Sequence, residues 1–172
     1  MEKHFKLTTE SIVNMFGVTL FRIELTVDCK WGQKGDKGGW VEKDENLSGD
    51  AWVSGNARVY GDAQVSGNAR VYGDAWVYGN AWVSGDAQVS GNALVYGNAL
   101  VYGNARVSGD AWVSGDAWEK SPLQIQGTKH FINFCTKGKL KIGCHELEIN
   151  VWVEKFESIG KEKGYTEAEI KE

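Results

Sequence analysis

The chain has 172 residues, with 19 Lys and Arg against 23 Asp and Glu, for a formal net charge of −4. It is long enough to bury a real core, in one domain or two small ones. The mildly acidic balance argues against a general nucleic-acid binder, which carries a basic stripe. No run of 18 apolar residues is present to span a membrane. The 22 Gly stand beside a single Pro, Pro122. Loop-rich chains raise both, so the Gly must recur for a regular reason. Residues 1–6 lead into no apolar segment, which predicts no signal peptide. Three cysteines (Cys29, Cys135, Cys144) with no CxxC spacing predict reduced thiols in a cytoplasmic protein.

Residues 1–46 read as an N-terminal cap. Residues 17–25 are β-rich, and a Gly-containing segment at 34–42 leads into Asn46-Leu47-Ser48. A solenoid needs such a cap over its open end.

Residues 47–118 repeat the unit Gly-(Asp/Asn)-Ala-x-Val-(Ser/Tyr). Gly recurs at every sixth position from 49 to 115, Ala from 51 to 117, and Val from 53 to 113. Val41 and Leu47 extend the Val register backwards. A period of six fits neither a helix nor a flat strand. It fits a short strand plus a corner. Alternation puts Ala and Val on the inner face, and x and Ser/Tyr on the outer one. Gly-Asp and Gly-Asn are turn pairs. The arrangement is that of a parallel hexapeptide solenoid.

An inward aliphatic residue followed four positions later by a small one, as in Val53 then Ala57, resembles the left-handed β-helix. That resemblance implies three hexapeptides per triangular coil, hence about four coils over residues 47–118 and a prism about 19 Å tall. The corners agree. An 18-residue coil stacks Asp50, Asn68, Asp86 and Asn104, then Asn56, Asp74, Asn92 and Asp110, then Asp62, Asn80, Asn98 and Asp116. No two Asp become vertical neighbours, and Asn beside Asp can hydrogen-bond.

Residues 119–172 read as strands followed by helices. Residues 123–126, 130–134 and 140–142 alternate as strands, with a turn at 136–139. A helical pattern starts near Glu146 and ends at Gly160 or Gly164. Thr166-Glu167-Ala168-Glu169 is a capping box opening a last short helix.

The flanks carry a further resemblance. Leu20-Phe21-Arg22-Ile23, Gly35-Asp36-x-Gly38-Gly39-Trp40-Val41-Glu42, Asn46-Leu47-Ser48, Ser121-Pro122-Leu123-x-Ile125-Gln126-Gly127 and Ile142-Gly143-Cys144 resemble a family of phage and prophage hexapeptide proteins. Members are often labelled acetyltransferase-like. The resemblance implies a mobile-element origin and carries no catalytic residues with it.

Hexapeptide acyltransferases use a His general base. Here no His falls between residues 5 and 129, and no insertion breaks the period. The chain is therefore expected not to be an enzyme, acyl transfer remaining the alternative through His130 or His145, and no cofactor is expected. His130, Cys135, Cys144 and His145 are the one set with metal-ligand chemistry, but their spacing matches no tight zinc pair. The expectation is packed thiols, surface His and no metal.

The variable x position holds the remaining information. The first outer face reads Trp52, Arg70, Gln88 and Arg106. The second reads Arg58, Trp76, Leu94 and Trp112, with Tyr60, Tyr78 and Tyr96 beside them. The third reads Gln64, Trp82, Leu100 and Trp118, with Tyr102. Outward aromatics in such numbers mark interaction surfaces. Trp76, Tyr78, Trp82, Leu94, Tyr96, Leu100, Tyr102, Trp112 and Trp118 are the expected binding or oligomer residues. Arg58, Arg70 and Arg106 are candidate anion contacts, although a solvated face explains them as well.

The reading is an all-β left-handed β-helix with a β cap and an α+β C-terminal module. The expected function is non-enzymatic binding or scaffolding, with the chain itself as dimer or trimer partner. The family context extends this to inhibition of a host defence system, through a protein component or a nucleotide signal. A structural homo-oligomer with no other ligand is the alternative. No membrane and no general nucleic-acid partner is expected.

Overall fold

The computed structural model describes residues 3–115, 117–118, 124–126, 130–136 and 138–171. The chain opens with β1 (Phe5–Val13), which pairs antiparallel with β2 (Thr19–Leu25). β2 pairs antiparallel with β3 (Lys37–Val41). A short 3-10 turn, Asp44–Asn46, precedes the repeats. β1 was not legible in the sequence, since its outer positions mix Lys, Thr, Glu and Ser without a clean alternation.

The repeats form short strands in succession: β4 (Trp52–Val53), β5 (Arg58–Val59), β6 (Gln64–Val65), β7 (Arg70–Val71), β8 (Trp76–Val77), β9 (Trp82–Val83), β10 (Gln88–Val89), β11 (Leu94–Tyr96), β12 (Leu100–Val101), β13 (Arg106–Val107), β14 (Trp112–Ser114) and β15 (Ala117–Trp118). They stack as three parallel sheets. β4, β7, β10 and β13 make the first face, β5, β8, β11 and β14 the second, and β6, β9, β12 and β15 the third. From β4 to β14 paired strands lie eighteen residues apart, as Trp52 with Arg70 and Arg58 with Trp76. Three hexapeptides per coil, implied by the resemblance and favoured by the corner residues, is the observed geometry.

The local reason is visible in every unit. Gly49 through Gly115 take φ between 63° and 81° at each sixth position, which turns the chain at the corner. The inward Val and Ala from Ala51 to Val113 are fully buried and form one continuous core. Each buried Val contributes about 1.5–3 kcal/mol of burial, and a narrow tube leaves room beside it only for Ala. The amide of each outward residue donates to the next coil, as from Trp52 N to Ala69 O at 3.0 Å. The corner side chains form ladders: Asn56 donates to Asp74 at 3.1 Å, Asn68 to Asp86 at 3.0 Å, Asn80 to Asn98 at 3.1 Å and Asn92 to Asp110 at 2.9 Å. Asp116 lies outside the described residues.

The cap is continuous with the coils. β3 pairs parallel with β5, placing Trp40 beside Arg58 and Val41 beside Val59. β1, β2 and β3 thereby extend the second face into a seven-stranded sheet. Phe5, Ile23 and Leu25 join the solenoid core. A Cβ on Gly39 would stand 2.6 Å from Val53 Cγ1, so the cap seats only because this position is Gly. Asn46, almost fully buried, donates to Gly61 O at 3.1 Å and Ala63 O at 2.7 Å and accepts from Lys43 N at 3.0 Å.

At the far end the register changes. Leu100 pairs with Ala117 and Val101 with Trp118, seventeen residues apart instead of eighteen. A four-stranded antiparallel sheet follows: β16 (Gln124–Gln126), β17 (Phe131–Thr136), β18 (Lys139–Ile142) and β19 (His145–Glu148). The helix α1 (Ile149–Glu162) then begins, three residues later than the pattern predicts. The correction has a simple cause: Gly143 and Cys144 form a tight turn, so residues 145–148 pair back on β18. Gly164 follows the helix at φ 75°, and Thr166 caps α2 (Glu167–Lys171) reciprocally with Glu169. No helix among the described residues is long and apolar enough to cross a membrane.

Candidate functional site

The three outer faces differ in what their aromatic residues touch. On the first, the cap covers the upper end. Trp52 is 5% exposed, with the His4 ring 6.0 Å away. Burial holds the His4 imidazole below its ordinary pKa. Trp31 donates through Nε1 to Asp50 O at 2.7 Å, and its indole receives the guanidinium of Arg70 at 5.1 Å. Arg70 also lies 5.3 Å from the Tyr72 ring, and Tyr72 donates to Gln88 at 3.4 Å. Arg106 is exposed, two coils below Arg70.

The second face begins as a column of alternating cations and aromatic rings, which Leu94 interrupts. Register places Arg22, Trp40, Arg58, Trp76, Leu94 and Trp112 in line from β2 to β14. Arg22 lies 4.8 Å from the Trp40 ring and Arg58 lies 4.9 Å from the Trp76 ring. Lys141 of β18 closes the column 3.1 Å from the Trp112 ring. Beside it Tyr60, Tyr78 and Tyr96 stack at 5.1 and 5.4 Å. Tyr60 is buried, which pushes its hydroxyl pKa up to about 12, and burial raises Tyr78 as well. This face is largely satisfied within the chain: Trp76, Tyr78, Leu94 and Tyr96 are half-buried, and Trp112 is exposed.

The third face is open. Trp82 is 48% exposed, Leu100 39% and Tyr102 39%, with Trp82 and Leu100 in direct register. Trp82 Nε1 donates to Ser66 Oγ at 3.1 Å, a contact that restrains the indole. In the backbone pairing a one-residue slip sets Trp118 opposite Val101. Its side chain lies outside the described residues.

The structure therefore divides the predicted set. Trp82, Leu100 and Tyr102 come together on one exposed face. Trp76, Tyr78, Leu94, Tyr96 and Trp112 come together on another, packed with cations. The three arginines do not converge. Arg58 is on the second face, while Arg70 and Arg106 share the first with Gln88 between them. Trp31, Arg22 and Lys141 escaped the sequence reading because nothing in the repeat places them. Trp40 was within reach, standing eighteen residues before Arg58.

The C-terminal module has a cavity of about 290 Å³ whose lining includes His130, Cys144 and His145. The His130 ring is 5.8 Å from the Tyr165 ring. His145 is half-buried and its Nε2 has no hydrogen-bond partner. Cys144 is exposed instead of packed, because it sits in the turn between β18 and β19. The Cys135 side chain lies outside the described residues. Among the described residues no group of three or more His, Cys, Asp or Glu is placed to hold a metal ion.

Stacked parallel coils with a Gly-cornered hexapeptide repeat define a β-solenoid repeat protein. Residues 51–67, 63–79, 87–103 and 99–115 match the family described as YdcK Beta solenoid repeat. No curated protein matches the chain.

Proposed function

We propose that the chain is a non-enzymatic binding and scaffold protein that associates with further copies of itself through its third face. The observation that carries this reading is the exposed, in-register set Trp82, Leu100 and Tyr102. Contiguous exposed apolar residues on a flat sheet favour association, and identical prisms meet readily in closed symmetric assemblies. The aromatics of the other faces already have partners in the cap, in the cation column or in the C-terminal sheet. Acyl transfer is the weaker reading, because no His lies within the repeats: His4 belongs to the cap, and His130 and His145 to the C-terminal module.

Light scattering on the full chain tests the proposal. A dimer or trimer is expected, and Trp82→Ser with Leu100→Ser is expected to give a monomer with an unchanged circular dichroism spectrum. A wild-type monomer, or an assembly indifferent to both changes, overturns it. Saturable binding of an acyl carrier cofactor overturns the non-enzymatic part.

The phage-like flanks extend the reading to interference with a host defence system, by holding a protein component or a nucleotide signal. Capture from host lysate by the wild type, lost in the Trp82→Ser, Leu100→Ser variant, is the expected result. Capture that persists in that variant removes the third face from this role.

A further inference from the structure

The cavity of the C-terminal module takes no part in the reading above. Its volume of about 290 Å³ holds about ten non-hydrogen atoms at roughly 30 Å³ each. Ile142 of β18 and Trp152, Phe156 and Ile159 of α1 line it, with Ile170 of α2. Trp152 is fixed, donating through Nε1 to Leu140 O at 2.8 Å. Its indole meets the His145 ring edge-on, at 6.5 Å and 89°.

Two polar features distinguish this space from a packing defect. His145 Nε2 is buried without a hydrogen-bond partner, a state that costs about 1–3 kcal/mol until something fills it. Lys163 also lines the cavity, and its ion pair with exposed Glu162 is long, at 3.5 Å. The lining carboxylate of Glu169 is already engaged. It accepts from Thr166 N at 2.7 Å and Thr166 Oγ1 at 2.9 Å.

We propose that this cavity binds a small amphiphilic acid, an apolar chain or ring of about eight carbons ending in a carboxylate. The apolar part fills the space between the sheet and α1. The carboxylate accepts from His145 Nε2–H and is attracted by Lys163. A charged acceptor is preferred to a neutral one, because hydrogen bonds to ions are roughly twice as strong.

Calorimetric titration of the full chain with sodium octanoate tests the site, with 1-octanol as the neutral arm. One saturable octanoate site per chain is expected, at least about tenfold tighter than octanol. His145→Ala should lose about tenfold for octanoate and little for octanol, and Trp82→Ser should change neither. In the wild-type protein octanoate should also slow maleimide labelling of Cys144 and leave Cys29 unaffected, read by peptide mass spectrometry. That protection needs no variant to fold. Absence of saturable octanoate binding overturns the proposal. So does octanoate affinity unchanged in His145→Ala, or lost in Trp82→Ser.

Discussion

Tyr60 and Tyr78 stack one coil apart with ring centroids separated by 5.1 Å and planes 4° from parallel. Tyr96 extends the ladder at 5.4 Å, and Trp76 meets Tyr60 edge-on at 6.4 Å. The packing satisfies the Tyr60 ring but leaves its hydroxyl buried without a partner.

Tyr60→Phe keeps the stacked ring and removes that hydroxyl. Stability should rise by about 1 kcal/mol, because an unmatched buried polar group costs about 1–3 kcal/mol. The pH dependence follows from the same burial. Tyr60 is raised to about 12 in the folded chain, against about 10 unfolded. Its ionisation therefore leaves stability unchanged below about pH 10 and lowers it as pH rises from there through about 12, because the unfolded chain loses the proton first. Thermal unfolding across this range should show a shallower decline for Tyr60→Phe, with the remainder from Tyr78. An identical decline in both proteins would refute the assignment.

Arg58 stands between Trp40 and Trp76 on the second face and packs its guanidinium against the latter. Arg58→Ala removes both the cation and the aliphatic stem, for an expected loss of about 1–2 kcal/mol. Arg58→Lys should recover only part, since an ammonium lacks the flat stacking surface. Chemical denaturation of the three proteins ranks them. Full recovery by Lys would reduce the contact to simple charge.

The corner ladders give a charge test. Asn92 donates to Asp110 at 2.9 Å, and Asp74 is the next corner above it. Asn92→Asp places three carboxylates in a vertical row about 5 Å apart. The new group's pKa is raised by its neighbours. Its destabilisation, about 1 kcal/mol at neutral pH and low salt, should vanish as pH falls through the carboxylate range, and shrink in high salt. A loss independent of pH and salt would mean that only the amide hydrogen bond matters.

Much of this architecture was legible because the repeat is strict. Val and Ala at fixed sixth positions can line only a narrow tube, and the alternation of Asp50, Asn68 and Asp86 admits only an odd number of hexapeptides per coil, of which the resemblance to the left-handed β-helix selects three. The faces were harder to read. The repeat shows which residues point outward, as with Trp52, Trp76 and Trp82, but not what lies over them. Trp52 is covered by the cap, Trp76 by Arg58, and Trp82 by neither. Trp31 and Lys141 reach the faces from irregular segments, where tertiary packing decides the position. The slip at Trp118 was hidden as well, since the sequence keeps its period through Ala117 while the pairing changes by one residue.

Gly91 and Gly97 separate two costs that the corner glycines combine. Both hold the left-handed backbone, at φ 68° and 65°. A side chain there costs about 1–2 kcal/mol by itself. A Cβ on Gly91 would also stand 2.8 Å from Gly109 N and 3.0 Å from Gly109 O, backbone atoms of the next coil that cannot rotate away. A Cβ on Gly97 would meet nothing within 4 Å. Gly97→Ala should therefore lose about 1–2 kcal/mol, and Gly91→Ala about 1–3 kcal/mol more, the usual cost of overpacking. Urea midpoints at matched slopes measure the difference. Equal losses would mean that the coils separate enough to admit a methyl group, and that the close backbone stacking at the corners contributes little to holding one coil against the next.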